Sequence, residues 1–363
     1  MHIPSGCSKI ENSIIIDKIK GLIFGAILGD SIGIATEGLT KDEIKKIYGK
    51  GPIRFGMDED GIPFIRDDYR SHFDENDFGQ DSEQILLVVQ SILENNGYFH
   101  QKDLKNRLTK QVNHTISLHS LLILPPPQND PPSPALVRAP LLGAVKFWDG
   151  TSVIENAIHS CQLTRSDPRC MISCLVVSIL VARLLRGQET EIKAQPSSIP
   201  TPLHSPLLTD YFIDSLTTDQ ALQILVQDVI ETNKHIFQSS FLDPLLTDPS
   251  QIYHQLISCA EPNSIASLQL DKSTNVLHTL AAALYSFTRS IPPQRERDYF
   301  KKIMMDVIMQ GGKAAGTTTG AILGARLGYG HLPTEWVVGM KRWEWLEDKI
   351  DELLLRFVLC FNK

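Results

Sequence analysis

Cysteine is scarce in this chain, and nothing in its arrangement suggests a redox pair or a metal cage. Six cysteines are spread over 363 residues and none forms a CxxC pair. That density excludes an extracellular disulfide scaffold. Cys170 and Cys174 stand one helical turn apart in an apolar run, which reads as packing. The histidines are scattered without ligand spacing. GxSxG, Walker-type and dinucleotide glycine motifs are all missing. The opening MHIPSGCSKIENSIIID has no apolar core of signal-peptide length. The most apolar run, Met171 to Ala182, is short for a bilayer and is followed by Arg183 and Arg186. Positive charge is not in excess: 35 Lys and Arg against 42 Asp and Glu give a net charge of −7, which argues against a dedicated nucleic-acid binder. These absences lead us to expect a soluble cytoplasmic protein with neither a nucleic-acid nor a membrane partner; they assign no protein partner.

What is present is a globular composition, 42% hydrophobic and 21% charged. Convincing alternating strands and solenoid repeats are lacking, so the expectation is an all-α, compact single-domain bundle over residues 16–363, after a flexible N-terminus at 1–15. Two segments carry glycine at every fourth position. Gly21, Gly25, Gly29 and Gly33 mark the first; Gly312, Gly316, Gly320, Gly324 and Gly328 mark the second. Four-residue spacing lines them along one helix face. Each costs up to about 1 kcal/mol against alanine inside a helix, so close approach of another backbone must offset them. The pattern therefore predicts that Lys18–Gly33 and Gly312–Gly328 are neighbouring helices. Charges at Lys18, Lys20, Asp30, Lys313 and Arg326 speak against reading the stripes as membrane helices.

Between the stripes, apolar spacing predicts helices over Asp81–Leu93, Leu141–Trp148, Ile154–Cys161, Pro168–Arg186, Thr218–Glu231, Val276–Thr288 and Arg295–Met309, with one or two more over Glu335–Phe361. Residues Gly49–Phe78, the proline-rich Leu124–Pro134 and Ala194–Pro206 read as loops.

Four constellations can carry chemistry. Asp30 is a carboxylate inside an apolar glycine helix, with Glu37 about two turns on; backbone amides or an arginine would hold it if it has no further role. FGQDSEQ (Phe78–Gln84) offers Asp81, Ser82 and Glu83 as oxygen ligands for a divalent cation, or as an ordinary helix start with Asp81 as cap. Arg138, near Ser133, suits a protein carboxylate or a ligand phosphate. Asp167, between Arg165 and Arg169, opens a long helix as its cap or as part of an anion site.

The order of these segments resembles the ADP-ribosylglycohydrolase (ADP-ribosyl-acceptor hydrolase) family. GLIFGAILGDSIGIATEG looks like the family's opening GxxxGxxxGDxxGxxxEG. FGQDSEQILLVVQSIL resembles W-T-D-D-[ST]-x-Q-M, and PSPALVRAPLLG resembles P-S-N-G-A-x-M-R-x-x-x-L-G. QLTRSDPRC resembles T-H-x-D-P. QGGKAAGTTTGAILGARLGYGHLPTEWV resembles G-D-A-D-T-N-G-x-x-A-G-A-L-L-G followed by Leu-Pro-x-x-Trp. The resemblance implies an all-α fold. It implies, for active members, two Mg2+ or Mn2+ ions in a central cleft that activate water to cleave ADP-ribose from an acceptor.

Carried over by position, Asp30 and Glu37 match the opening aspartate and the glutamate that matters in some members, which makes Glu37 the catalytic candidate. Ser133, Arg138 and Asp167 fall on ligand-binding positions. In the first acidic motif Asp81 and Ser82 match and Glu83 falls on the variable position, but Gly79 stands for threonine and Gln80 for the first aspartate. In the last motif Gly311 and Lys313 stand for both aspartates and Ala314 for threonine. No Asp or Glu lies between Val307 and Tyr329, so a small shift of register restores none. Three readings follow: a hydrolase-like protein with an eroded metal site that keeps at most ADP-ribose-type binding, a working hydrolase with Mg2+ or Mn2+ on Glu37, Asp81 and Glu83 acting on an ADP-ribosylated acceptor, or a structural or interaction protein with no cofactor.

Overall fold

The computed structural model describes residues 9–112, 134–187, 218–237, 249–260, 264–271 and 275–358. Ser133, the loop at 194–206 and all but the last residue of the proline-rich stretch lie outside them. The order is α1 (Lys9–Gly33), α2 (Lys41–Tyr48), α3 (Gln80–Glu94), α4 (Gln101–Val112), α5 (Ala139–Ala144), α6 (Gly150–Gln162), α7 (Pro168–Leu185), α8 (Thr218–Thr232), α9 (Lys234–Phe237), α10 (Pro249–Ala260), α11 (Val276–Phe287), α12 (Glu296–Ile308), α13 (Lys313–Leu327), α14 (Thr334–Gly339) and α15 (Trp343–Val358). The fold is all-α, as expected. Among the described residues the β-type pairing is an isolated bridge between Ile53 and Ile62.

α1 and α13 run antiparallel through the centre and touch backbone to backbone. A Cβ on Gly21 would lie 2.4 Å from the Gly324 oxygen, one on Gly25 2.1 Å from the Gly320 oxygen, and one on Gly29 2.2 Å from the Gly316 oxygen. The stripes therefore mesh glycine against glycine. Gly312 departs from the pattern: it caps α13 and faces Leu270 instead. The place opposite Gly33 goes to Lys313, whose Cγ would be 2.9 Å from a Cβ there.

The other helices wrap this pair. α11 and α12 pack on α13, and α5, α6 and α7 form a mutually packed group beside α1 and α13. α7 is long and apolar enough, by length and composition, to cross a membrane, a little longer than the run read from the sequence. Most of it is buried among its neighbours here. Asp167 caps it, accepting a hydrogen bond from the Arg169 amide, with Pro168 in the first turn.

Several elements depart from the sequence reading. α2 sits in the polar KDEIKKIY, where few apolar residues mark a period; its capping box joins Thr40 and Glu43, and it buries Ile44 and Tyr48. α4 and α10 were likewise not singled out by apolar spacing. The helix expected over Leu141–Trp148 ends at Ala144, because Val145 is extended and Lys146 is left-handed at φ 53°. The C-terminal segment makes two helices, broken at left-handed Arg342. The 49–78 stretch is irregular apart from the 3-10 turn Arg70–His72 and the bridge.

The close contact makes a stability prediction. Gly25→Leu or Gly320→Leu forces a side chain into backbone that has no room for one, and should destabilise by about 1–3 kcal/mol or more. Gly150→Ala, whose Cβ meets nothing within 4 Å, is the control and should be neutral or mildly stabilising. Urea melts of the three variants decide. Equal midpoints for Gly25→Leu and the parent would refute the packing argument.

Candidate functional site

The site lies where α1 ends, α3 begins and α13 begins. Asp30 is fully buried on the last turn of α1. α3 starts at Gly79, which has no side chain to cap it. Asp30 supplies the cap from a distance: its Oδ2 accepts from the amide of Gly79 at 2.8 Å and from that of Ser82 at 2.9 Å. An acidic group at a helix N-terminus is favourable for the free amides and the helix dipole alike. The backbone-amide role expected for Asp30 is thus present, and the cap is Asp30 rather than Asp81.

Asp30 has a second partner. Lys313, 8% exposed, enters from the first turn of α13 and places Nζ 3.5 Å from Asp30 Oδ1 and 2.9 Å from Glu37 Oε2. Two glycines make room for it. Gly33 yields to the lysine stem, and a Cβ on Gly79 would stand 3.2 Å from Nζ and 3.0 Å from Asp30 Oδ1. Burial works against the charge of Lys313, but Asp30, Asp81 and Glu37 together outweigh it and hold its pKa well above that of an ordinary lysine. The ammonium is therefore permanent at physiological pH.

Asp81 completes the cluster from the first turn of α3 and accepts from the Thr317 hydroxyl at 3.0 Å. Burial pushes its pKa up to about 6; Lys313 opposes that rise, while Asp30 and Glu37 add to it. Glu37 also accepts from the Tyr69 hydroxyl. Burial first, then the neighbouring carboxylates, keep that phenol protonated. Arg70, 2% exposed, donates from Nε to the Ala35 carbonyl at 2.9 Å and from its guanidinium to the Glu37 carbonyl, which fixes the turn carrying Glu37.

Asp30, Glu37, Asp81 and Lys313 thus come together. Glu83 lies two residues beyond Asp81, about 200° further round α3, and is half-buried. Ser82 is fully buried, and its Oγ has no hydrogen-bond partner among the described residues. Gln80 opens α3, Gly311 faces Asp271 and Ala314 is half-buried. Tyr69, Arg70 and Thr317 belong to the site but were not read from the sequence. Two of them sit in the irregular 49–78 stretch, where periodicity carries no information. Thr317 was hidden in Thr-Thr-Thr, although three hydroxyls within a glycine-striped helix are a signal of buried polar contacts.

The other candidates are elsewhere. Arg138 is completely buried, and among the described residues its hydrogen-bond partners are neutral oxygens. Its Nε meets Ser160 Oγ, Nη1 meets Gln84 Oε1, and Nη2 meets the Ser160 carbonyl and Thr164 Oγ1. It ties α3, the start of α5 and the end of α6 together. Asp167 pairs with Arg169 at 2.9 Å besides capping α7.

Lys313→Met removes the cation that the cluster's three carboxylates share, and should cost about 3–5 kcal/mol at pH 7. The loss should shrink below about pH 6 as Asp81 takes up its proton. Asp81→Asn probes the same balance from the other side. The folded state raises the Asp81 pKa above its unfolded value, so this group favours folding below about pH 4 and that contribution is lost as pH rises to about 6. Relative to the parent, Asp81→Asn should gain up to about 3 kcal/mol between those pH values. Paired denaturant titrations at pH 4 and pH 7 give the difference; a flat difference would rule out the raised pKa.

A family model described as ADP-ribosylglycohydrolase matches residues 11–361. A search of curated proteins finds no match. Among solved structures, one described as an ADP-ribosylglycohydrolase-related protein complex superposes with a TM-score of 0.61. It shares 18% identity and covers 96% of this chain and 99% of its own, which speaks for the fold. With the glycine-meshed helix pair and the ordered motifs on one continuous match, the chain belongs to the ADP-ribosylglycohydrolase family.

Proposed function

We propose that this family member has lost two-metal hydrolysis and carries a tethered ammonium in its place. The observation that supports this is the position of Lys313, 2.9 Å from Glu37 and 3.5 Å from Asp30. The family is generally metal-dependent. Two dications held close together need several free anionic oxygens. Here Asp30 Oδ2 is committed to two backbone amides and Glu37 Oε2 to Tyr69 and Lys313, while the buried Asp30 Oδ1 accepts no hydrogen bond and faces the Lys313 ammonium at 3.5 Å. Asp81 Oδ2 is committed to Thr317. The residues at Gly79, Gln80, Gly311 and Ala314 add no carboxylate. A dication entering this group would meet a permanent positive charge, so the residues present do not fit the pair of ions.

The substitutions support one another. Lys313 uses the space left by Gly33, a glycine the family motif also carries, and by the substituted Gly79, where a Cβ would stand 3.2 Å from Nζ. Threonine at 79, the residue type the family motif carries there, would press on the ammonium. This favours an exchanged site over a damaged one.

What remains open is a cleft of ≈540 Å³ over Glu37, Asp67, Asp68 and Tyr69. Its carboxylates accept hydrogen bonds from ribose hydroxyls. They repel phosphates, so ADP-ribose would be held weakly and without help from a metal.

The experiment is release of ADP-ribose from ADP-ribosylated arginine, ADP-ribosylated serine and O-acetyl-ADP-ribose, each with excess Mg2+ or Mn2+. No metal-dependent turnover is expected. Neither ion alone should raise the melting temperature, and any shift with ADP-ribose should be the same with and without metal. Metal-dependent turnover that disappears in Asp81→Ala would overturn the proposal and establish a rebuilt active site.

A further inference from the structure

A second cleft lies apart from the one over Glu37 and Tyr69. It measures ≈680 Å³ and opens between α2, the 49–60 loop and α12, and it shares no lining residue with the cleft over Tyr69. Its volume falls in the range of small-molecule sites, about 300–1,000 Å³. Of the residues that carry the family resemblance, Gln310 and Trp336 reach its lining.

Its lining has two chemically distinct parts. Pro52, Ile53, Met305 and Met309 give an apolar floor, where thioethers suit contact with a flat ring. Lys41, Lys45, Lys50, Lys301 and Lys302 surround it. On a chain of net charge −7, five lysines around one cleft are a local reversal of the overall field.

Those lysines are not equivalent. Lys301 is neutralised by Asp58 at 2.7 Å and by Glu335, and the Trp336 indole donates to the same Asp58 at 2.7 Å. That knot fixes one wall. Lys302 acts on Asp306, whose pKa burial raises. Lys41, Lys45 and Lys50 form no ion pair among the described residues. They are exposed residues that line the cleft at and just after α2.

We infer that this cleft binds a small phosphate monoester with an apolar, ring-bearing body, the ring on the methionine floor and the phosphate among Lys41, Lys45 and Lys50. Lysine binds phosphate as a point charge without fixed geometry, so three flexible ammonium groups suffice. Five lysines against three aspartates in the lining leave a small positive excess. That balance matches one dianionic phosphate better than a long polyphosphate. Asp60 and Asp306 remain to accept from hydroxyl or amino groups on the body.

The test uses 1-naphthyl phosphate, with 1-naphthol, inorganic phosphate and tripolyphosphate as separate arms, followed by calorimetry on the full chain. Naphthyl phosphate should bind saturably at one site and at least about tenfold more tightly than either of its halves or tripolyphosphate. Its affinity should fall as salt is raised. Lys45→Glu and Lys50→Glu should each weaken it about tenfold or more, with the unliganded melting temperature unchanged. Glu37→Gln, in the other cleft, should leave it unaffected. This separates the inference from the proposal about Lys313, which stands or falls on turnover and metal response. Equal binding of naphthol and naphthyl phosphate would overturn the inference, as would full affinity in both lysine variants or loss of binding in Glu37→Gln.

Discussion

Backbone contact between α1 and α13 is the constraint on which the rest of the molecule depends. Two helices normally keep 8–10 Å between their axes because side chains intervene. Here a Cβ on any of three glycines of α1 would lie within 2.4 Å of a carbonyl oxygen of α13. The pair has no slack, so the ends of the two helices are placed by their middles. Asp30 and Lys313 are brought together because one lies near the end of the first stripe and the other at the start of the second. The site is a consequence of the packing rather than an addition to it.

The same geometry explains why a lysine is tolerated in the interior. An ammonium in a dry site is costly unless carboxylates and space are both provided. Asp30, Glu37 and Asp81 provide the charge; Gly33 and Gly79 provide the space. Asp30 does double duty, because the amides of Gly79 and Ser82 hold its other oxygen. Moving Lys313 would therefore disturb the start of α3 as well as the ion pairs, which couples the electrostatics of the site to the stability of the bundle.

How far this was legible from the chain depends on the kind of signal. Glycine at every fourth position is an unambiguous cost that needs a partner, so the α1–α13 pair could be read directly. The family resemblance implies a site shared by Asp30, Glu37, Asp81 and Glu83; the fold brings the first three to Lys313, and Glu83 stands about 200° round α3 from Asp81. Tyr69 and Arg70 could not be read, because their stretch has neither helical nor strand period and their roles come from tertiary contacts with Glu37 and its turn. Arg138 shows the opposite failure. A buried guanidinium suggested an anion, yet its donors go to neutral oxygens of Gln84, Ser160 and Thr164. A sequence identifies a residue that needs acceptors, and only the fold says which ones it finds.

Replacing dications by a tethered ammonium changes more than the charge. A metal ion exchanges with solvent and lowers the pKa of the water it binds. A lysine stays with the chain, carries a single charge and has no open coordination position for water. In the proposed reading it also engages Glu37 Oε2 together with the Tyr69 hydroxyl. On this account loss of hydrolysis does not need the carboxylates to disappear. It needs only that one oxygen of each be engaged inside the protein and that the ammonium stand beside the buried Asp30 Oδ1, which accepts no hydrogen bond.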